Sequence, residues 1–173
     1  MTMFDTINYL KNGSFRQQRA YDLLEKEQIF LKLKAYTPLL VGTIPIGIDI
    51  ESSDLDIICY WKDKHAFISD VLLFFENEVD FCLTESTVRE QETIIANFYI
   101  DDFEIELFGQ NIPTKQQLGY RHMVIEYHLL QEKGEAFRRQ IIDLKCQGVK
   151  TEPAFCHLLG LEGDSYIELL KFE

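Results

Sequence analysis

The chain has 173 residues, 46% hydrophobic and 13% aromatic, with a formal net charge of −12. That length can bury a full core for one ordinary domain, while the negative charge excludes a protein that grips nucleic-acid backbone over a wide surface, since such binding needs Lys and Arg to neutralise many phosphates. No apolar run is long enough to span a bilayer, and the opening MTMFDTINYLKNG lacks the basic-then-apolar order of a secretory signal, so a cytoplasmic location is expected.

In chain order, Ser14 is placed to cap a helix running from about residue 15 to 31, with a break near 26–28. Residues 39–43, just after Pro38, read as a buried strand, 45–53 as a loop and 55–61 as the next strand. Helix-spaced apolar residues occupy 64–76, a strand covers 79–85, and 93–100 with 103–108 form a hairpin turned by Asp101 and Asp102. Helices are expected over 116–131, 135–147 and 152–159, separated by Gly134 and Gly148, the third capped by Thr151, with a last short helix after Gly163 and Asp164. Cys59, Cys82, Cys146 and Cys156 are far apart and form no CxxC pair, which predicts reduced, mostly buried thiols. No Pro/Gly/Ser-rich linker interrupts the chain, so the expected fold class is α+β: one domain over 1–173, with a core of about 14–132 and a helical C-terminal part of about 133–173 on the flank of the sheet or forming a small annex.

The carboxylates are the chemically informative residues. Side chains alternate across a strand, so Asp54 and Asp56 share one face while Leu55 and Ile57 enter the core. Asp is depleted in strands; Asp54, after Ser52 and Ser53, also suits a turn, but Asp56 lies deeper. The second hairpin strand repeats the pattern, with Glu104 and Glu106 opposite Phe103, Ile105 and Leu107, an alternation that a solvated sheet face shares. If this strand lies beside the first, three or four acids converge, and hard Mg²⁺ or Mn²⁺ is their natural occupant. Two such ions about 3.5 to 4 Å apart can activate a hydroxyl and stabilise a leaving oxygen. Gly42 and Thr43 suit either an ordinary turn or a close backbone approach to phosphate. His122 and Glu126, four apart beside Arg121, form either a substrate contact or a solvated surface pair. The cations near the motif in sequence, Arg16, Arg19, Lys62, Lys64, Lys115 and Arg121, make no recognisable phosphate clamp.

Val41-Gly42-Thr43 followed, about ten residues on, by Asp54-Leu55-Asp56-Ile57 resembles the signature of the DNA polymerase β type nucleotidyltransferase superfamily. More narrowly, GTIPIGIDIESSDLDI, IELFGQ and YRHMVIE resemble the bacterial family designated domain of unknown function 4269, and more distantly the GrpB-like proteins. The resemblance implies a nucleotidyltransferase-like mixed sheet flanked by helices. It implies that Gly42 and Thr43 hold nucleotide phosphates, that Asp54 and Asp56 bind metal, and that Glu106, with Glu104 as competitor, is the third catalytic carboxylate. Thr stands where the superfamily usually has Ser, and Glu where Asp is commoner. The implied activity is Mg²⁺- or Mn²⁺-dependent transfer of a nucleoside monophosphate from a nucleoside triphosphate to a hydroxyl on a small molecule, RNA end or protein. The scarcity of cations points to the alternative, a catalytically degenerate nucleotide-binding or regulatory protein of the same fold. The acceptor, the base preference and the oligomeric state leave no mark in the sequence.

Overall fold

The computed structural model describes residues 2–173. A five-stranded mixed sheet of order β1-β2-β5-β4-β3 organises them. β1 (Leu39–Val41) lies antiparallel to β2 (Leu55–Tyr60), and β2 runs parallel to β5 (Phe103–Gln110). β4 (Gln91–Ile100) joins β5 and β3 (Val79–Val88), antiparallel to both. A parallel pair cannot be closed by a tight turn. The β2-to-β5 crossover is supplied by α3 (Lys64–Phe75), capped by the Asp63 carboxylate, and by the β3-β4 hairpin.

The β4-β5 hairpin turns at Asp101 and Asp102 as expected, with Asp101 at φ +52°. β3 runs past the expected end at residue 85 to Val88, because Arg89 and Glu90 both take positive φ, +47° and +67°, and reverse the chain in two residues. Hairpin turns of that left-handed kind normally announce themselves with Asn or Gly; this one does not. β5 likewise extends to Gln110, whose side-chain amide donates to Thr93 Oγ1 at 2.8 Å.

α1 (Phe15–Lys26) begins at Ser14, which forms a reciprocal capping box with Gln17, and the expected break falls at Gln28, in left-handed conformation before α2 (Ile29–Lys32). α4 (Leu118–Lys133), α5 (Glu135–Cys146), α6 (Thr151–Leu159) and α7 (Ser165–Glu168) follow. Thr151 is not the cap of α6. Lys150 holds that position, and its carbonyl accepts the first helical bond from Ala154. Lys150 has no side-chain acceptor, and of the two N–H groups that a capping side chain uses, Pro153 at the third helical position lacks one.

Strand alternation divides the apolar residues between two cores. Leu55 and Ile57 of β2, Ala96 and Phe98 of β4, and Ile105 and Leu107 of β5 pack against α1 to α3 through Leu24, Phe67, Val71 and Phe75. On the opposite face, Leu39, Val41 and Ile58 meet α4 to α6 through Met123, Leu130, Phe137, Ile141 and Phe155. The C-terminal helices are therefore no annex; they cover the sheet face that carries Asp56 and Glu106. Cys59 and Cys156 are buried as expected, but Cys82, on edge strand β3, and Cys146, at the end of α5, are exposed, and all four are free thiols. Among the described residues no helix is long and apolar enough to cross a membrane.

Candidate active site

The parallel register places Asp56 beside Glu106, with Val41 of β1 opposite Asp56 on its other side. Immediately after Val41 the chain turns at Gly42, where φ is +83° and a Cβ would lie 2.1 Å from Asp56 Oδ2. Only glycine tolerates both conditions, so the Asp56 carboxylate rests directly against the turn. Thr43 Oγ1 donates to Ser53 Oγ at 3.1 Å, and Ser53 Oγ accepts from the Ile50 N–H at 2.9 Å, which closes the loop onto the start of β2. Inside that loop Ile44, Ile46 and Ile48 are buried and anchor it.

Between this sheet face and the C-terminal helices lies a cavity of about 880 Å³. Gly42, Thr43, Asp54, Asp56 and Glu106 line one wall; His122, Glu126, Lys145 and Glu152 line the other. Glu106 accepts from Asn97 Nδ2 at 3.3 Å. Glu104 shares the Glu106 face but lies outside the cavity wall, accepting from the Tyr99 hydroxyl at 3.0 Å near the surface.

Crowding of acids controls the electrostatics. Burial pushes Asp56 well above the usual carboxylate range, and the charges of Asp54 and Glu106 push it further. Asp54 is raised by burial and then by Glu104; Glu106 is raised by burial, then by Asp54 and Glu104, against the Asn97 hydrogen bond. Among the described residues no three Asp, Glu, His or Cys side chains are drawn together as a ready-made cation cage. The donors are nevertheless hard anionic oxygens facing an accessible cavity and raising one another's proton affinity, a set whose repulsion a hard divalent cation would relieve.

The opposite wall corrects the view of His122 and Glu126 as a solvated pair: each is only 3% exposed. His122 Nε2 lies 2.8 Å from the Tyr166 carbonyl, to which it must donate, leaving Nδ1 3.7 Å from Glu152 Oε1. Glu126 Oε1 is buried without a hydrogen-bond partner, and burial, reinforced by Glu152 and opposed by Lys145, pushes its carboxyl up to about 8. Spacing along α4 cannot reveal this, because α6 and α7 supply the cover.

The cations the sequence offered are largely committed elsewhere. Arg19 pairs with Asp102, Lys64 with Glu85 and Glu92, Lys115 with Asp5, Arg121 with Glu173, and Arg16 with Asp49 and the Ser53 carbonyl. Sequence reasoning missed Lys145, whose Nζ is buried, donates to the Ile48 carbonyl at 2.8 Å and lines the cavity, as does Lys150. A signal existed: Lys145 follows buried Phe137 and Ile141 at helical spacing, a charge on an otherwise apolar stripe.

Comparison with solved structures places the fold. The GLD-2/RNP-8 complex superposes with a TM-score of 0.55 at 15% identity, covering 82% of this chain and 56% of that one. A structure of Cid1 described for its RNA terminal uridylyl transferase activity gives 0.54 at 12% identity, over 76% of this chain and 41% of that one. The Cid1 poly(U) polymerase with Mg and 3′-dATP bound gives 0.54 at 13% identity, over 90% and 48%. The fold is therefore nucleotidyltransferase-like, and the chain spans about half the length of these structures. Residues 22–172 match the family described as domain of unknown function (DUF4269), and the chain belongs to it. No curated protein matches the sequence.

Proposed function

We propose that the cavity is the active site of a Mg²⁺- or Mn²⁺-dependent nucleotidyltransferase that moves a nucleoside monophosphate from a nucleoside triphosphate to a hydroxyl acceptor. The observation that carries this reading is the in-register pairing of Asp56 with Glu106 against the Gly42 turn, on a fold shared with nucleotidyl and uridylyl transferases. Asp54, Asp56 and Glu106 would hold the metal, which when bound supplies charge neutralisation for the phosphates and activation of the attacking oxygen. Gly42, with no side chain, lets phosphate approach the backbone, and the Thr43 hydroxyl lies beside it for a hydrogen bond. Glu104 at the rim and His122 and Glu126 on the far wall contact substrate. The acceptor oxygen bonds to the α-phosphorus as the bond from that phosphorus to the bridging oxygen breaks; pyrophosphate leaves with those electrons, and the hydroxyl proton passes to a carboxylate oxygen of Glu106.

Labelled nucleoside triphosphates and Mg²⁺, offered with a panel of hydroxyl acceptors, test the reading. Metal-dependent nucleotide binding and transfer are expected in the wild type, with transfer reduced about 10²-fold or more in Asp56→Asn and Glu106→Gln and much less in Glu104→Gln. Wild-type protein that binds no nucleotide with Mg²⁺, and an Asp56→Asn variant indistinguishable from it, would sink the proposal. The commitment of Arg16, Arg19, Lys64, Lys115 and Arg121 to acidic partners favours a second reading, a nucleotide-binding regulatory protein of the same fold. It is distinguished by binding without transfer to any acceptor.

A further inference from the structure

The far wall of the cavity carries a carboxyl group that lies away from the metal and phosphate positions. Glu126 is buried on α4, lines the cavity, and has a carboxyl oxygen with no hydrogen-bond partner among the described residues. A buried acceptor without a donor is costly, and native folds rarely keep one without a use for it. Its titratable neighbours are Glu152 from α6, Lys145 from α5, Tyr166 from α7 and, on its own helix, His122. None of them satisfies Glu126. His122 spends Nε2 on the Tyr166 carbonyl and turns Nδ1 toward Glu152. Lys145 donates to the Ile48 carbonyl, and its charge is shared with Asp49, Asp54 and Asp56 as well as Glu126.

We propose that Glu126, with Glu152 beside it, forms the acceptor subsite and takes the protonated amine of a small amino alcohol or amino sugar whose hydroxyl faces the Asp54, Asp56 and Glu106 wall. This deepens the nucleotidyltransferase reading and rests on it. An ammonium group is the fitting partner: it donates to the orphaned oxygen and, as it displaces the Glu126 proton, balances two carboxylates that share a single lysine. About 880 Å³ accommodates a nucleotide together with a small acceptor, being near the upper end of ordinary ligand sites, about 300 to 1,000 Å³.

The test uses the whole chain without nucleotide or metal, so that its outcome is separate from that of the transfer assay. Calorimetry compares glucosamine with glucose, and 2-aminoethanol with ethylene glycol. The amine of each pair is expected to bind at least about tenfold tighter, a difference of 1.4 kcal/mol. Because Glu126 is raised to about 8, amine binding near pH 7 releases a proton, read as a dependence of the measured heat on buffer ionisation enthalpy. In Glu126→Gln the preference and the proton release disappear while cooperative melting persists; in Glu152→Gln the preference falls several-fold. In Asp56→Asn both survive, even if nucleotide binding is lost. Absence of amine binding to the wild type, equal affinity within the pairs, or a preference that persists in Glu126→Gln would each overturn the inference.

Discussion

Gly42 and Asp56 constrain each other at the scale of single residues. A Cβ at position 42 would meet Asp56 Oδ2 at 2.1 Å, and the backbone there holds φ +83°. Gly42→Ala must displace the carboxylate and bear left-handed strain of roughly 1–2 kcal/mol, so a lower Tm together with loss of metal-dependent nucleotide binding is expected; binding at wild-type strength would show that the turn does not position Asp56. Asp56→Asn should move stability the other way. Asp56 is buried beside Asp54 and Glu106, and burial and repulsion disfavour its charge; an amide removes that repulsion, and thermal melts without Mg²⁺ should show a gain on the order of 1 kcal/mol in a variant in which the proposed transfer is lost. These acids were legible because alternation alone puts Asp54 with Asp56 and Glu104 with Glu106 on shared faces. Lys145 and Glu126 were not, because what makes them unusual is cover supplied by other elements. Alternation puts Glu104 and Glu106 on one face, with Glu106 preferred for its central place in the apolar run; the β2-β5 register sets Glu106 beside Asp56, while Glu104 lies outside the cavity wall.

Elements were legible where a local signal and the tertiary fold agree. Ser14 with Gln17 announces α1, Asp101 and Asp102 announce the β4-β5 hairpin, and Gly134 and Gly148 separate the C-terminal helices. The β3-β4 turn at Arg89 and Glu90 was hidden, since it takes left-handed conformations with residues that do not favour them. Its tip is held from outside: the Arg89 guanidinium lies 5.0 Å from the centre of the Tyr166 ring and 3.4 Å from an Asp164 carboxylate oxygen, tying the hairpin to the C-terminal layer beside the cavity. That layer depends on its own core. Phe155 is fully buried and packs edge-on against Phe137 with ring centres 5.7 Å apart. Phe155→Ala should cost about 3–5 kcal/mol and loosen the wall that carries Glu126 and Lys145. Chemical denaturation gives the loss, and limited proteolysis should cut first within residues 134–173; cleavage beginning instead in the β3-β4 hairpin would show that the layer does not hold the cavity closed.

For the molecule as a whole, the charge of −12 and the inward-facing acids combine into a dependence of stability on pH. Glu126 has its folded pKa at about 8, against 4.5 as its ordinary value, with burial the main cause. Between those values the folded state binds more protons than the unfolded state, so stability is greatest below 4.5 and is lost as pH rises through about 8. Each unit of such a shift corresponds to roughly 1.4 kcal/mol. Asp54, Asp56 and Glu106 are raised too and act in the same direction. Asp5, Asp102 and Glu173, lowered chiefly by hydrogen bonds from Lys115, Arg19 and Arg121, act oppositely and remove stability only as the solution becomes strongly acid. Lys145, lowered by burial, adds stability only as pH climbs toward 10.5. The sum predicts a metal-free protein most stable in mildly acid solution, with urea midpoints falling steadily from pH 5 to pH 8, and Glu126→Gln should flatten that fall. On the proposed reading a divalent cation competes with protons for the ionised Asp56 and Glu106 carboxylates, so the Tm gained on adding Mg²⁺ should be larger at pH 8 than at pH 5. A midpoint that rises toward pH 8 without metal would mean that the cavity acids are not held against their charge.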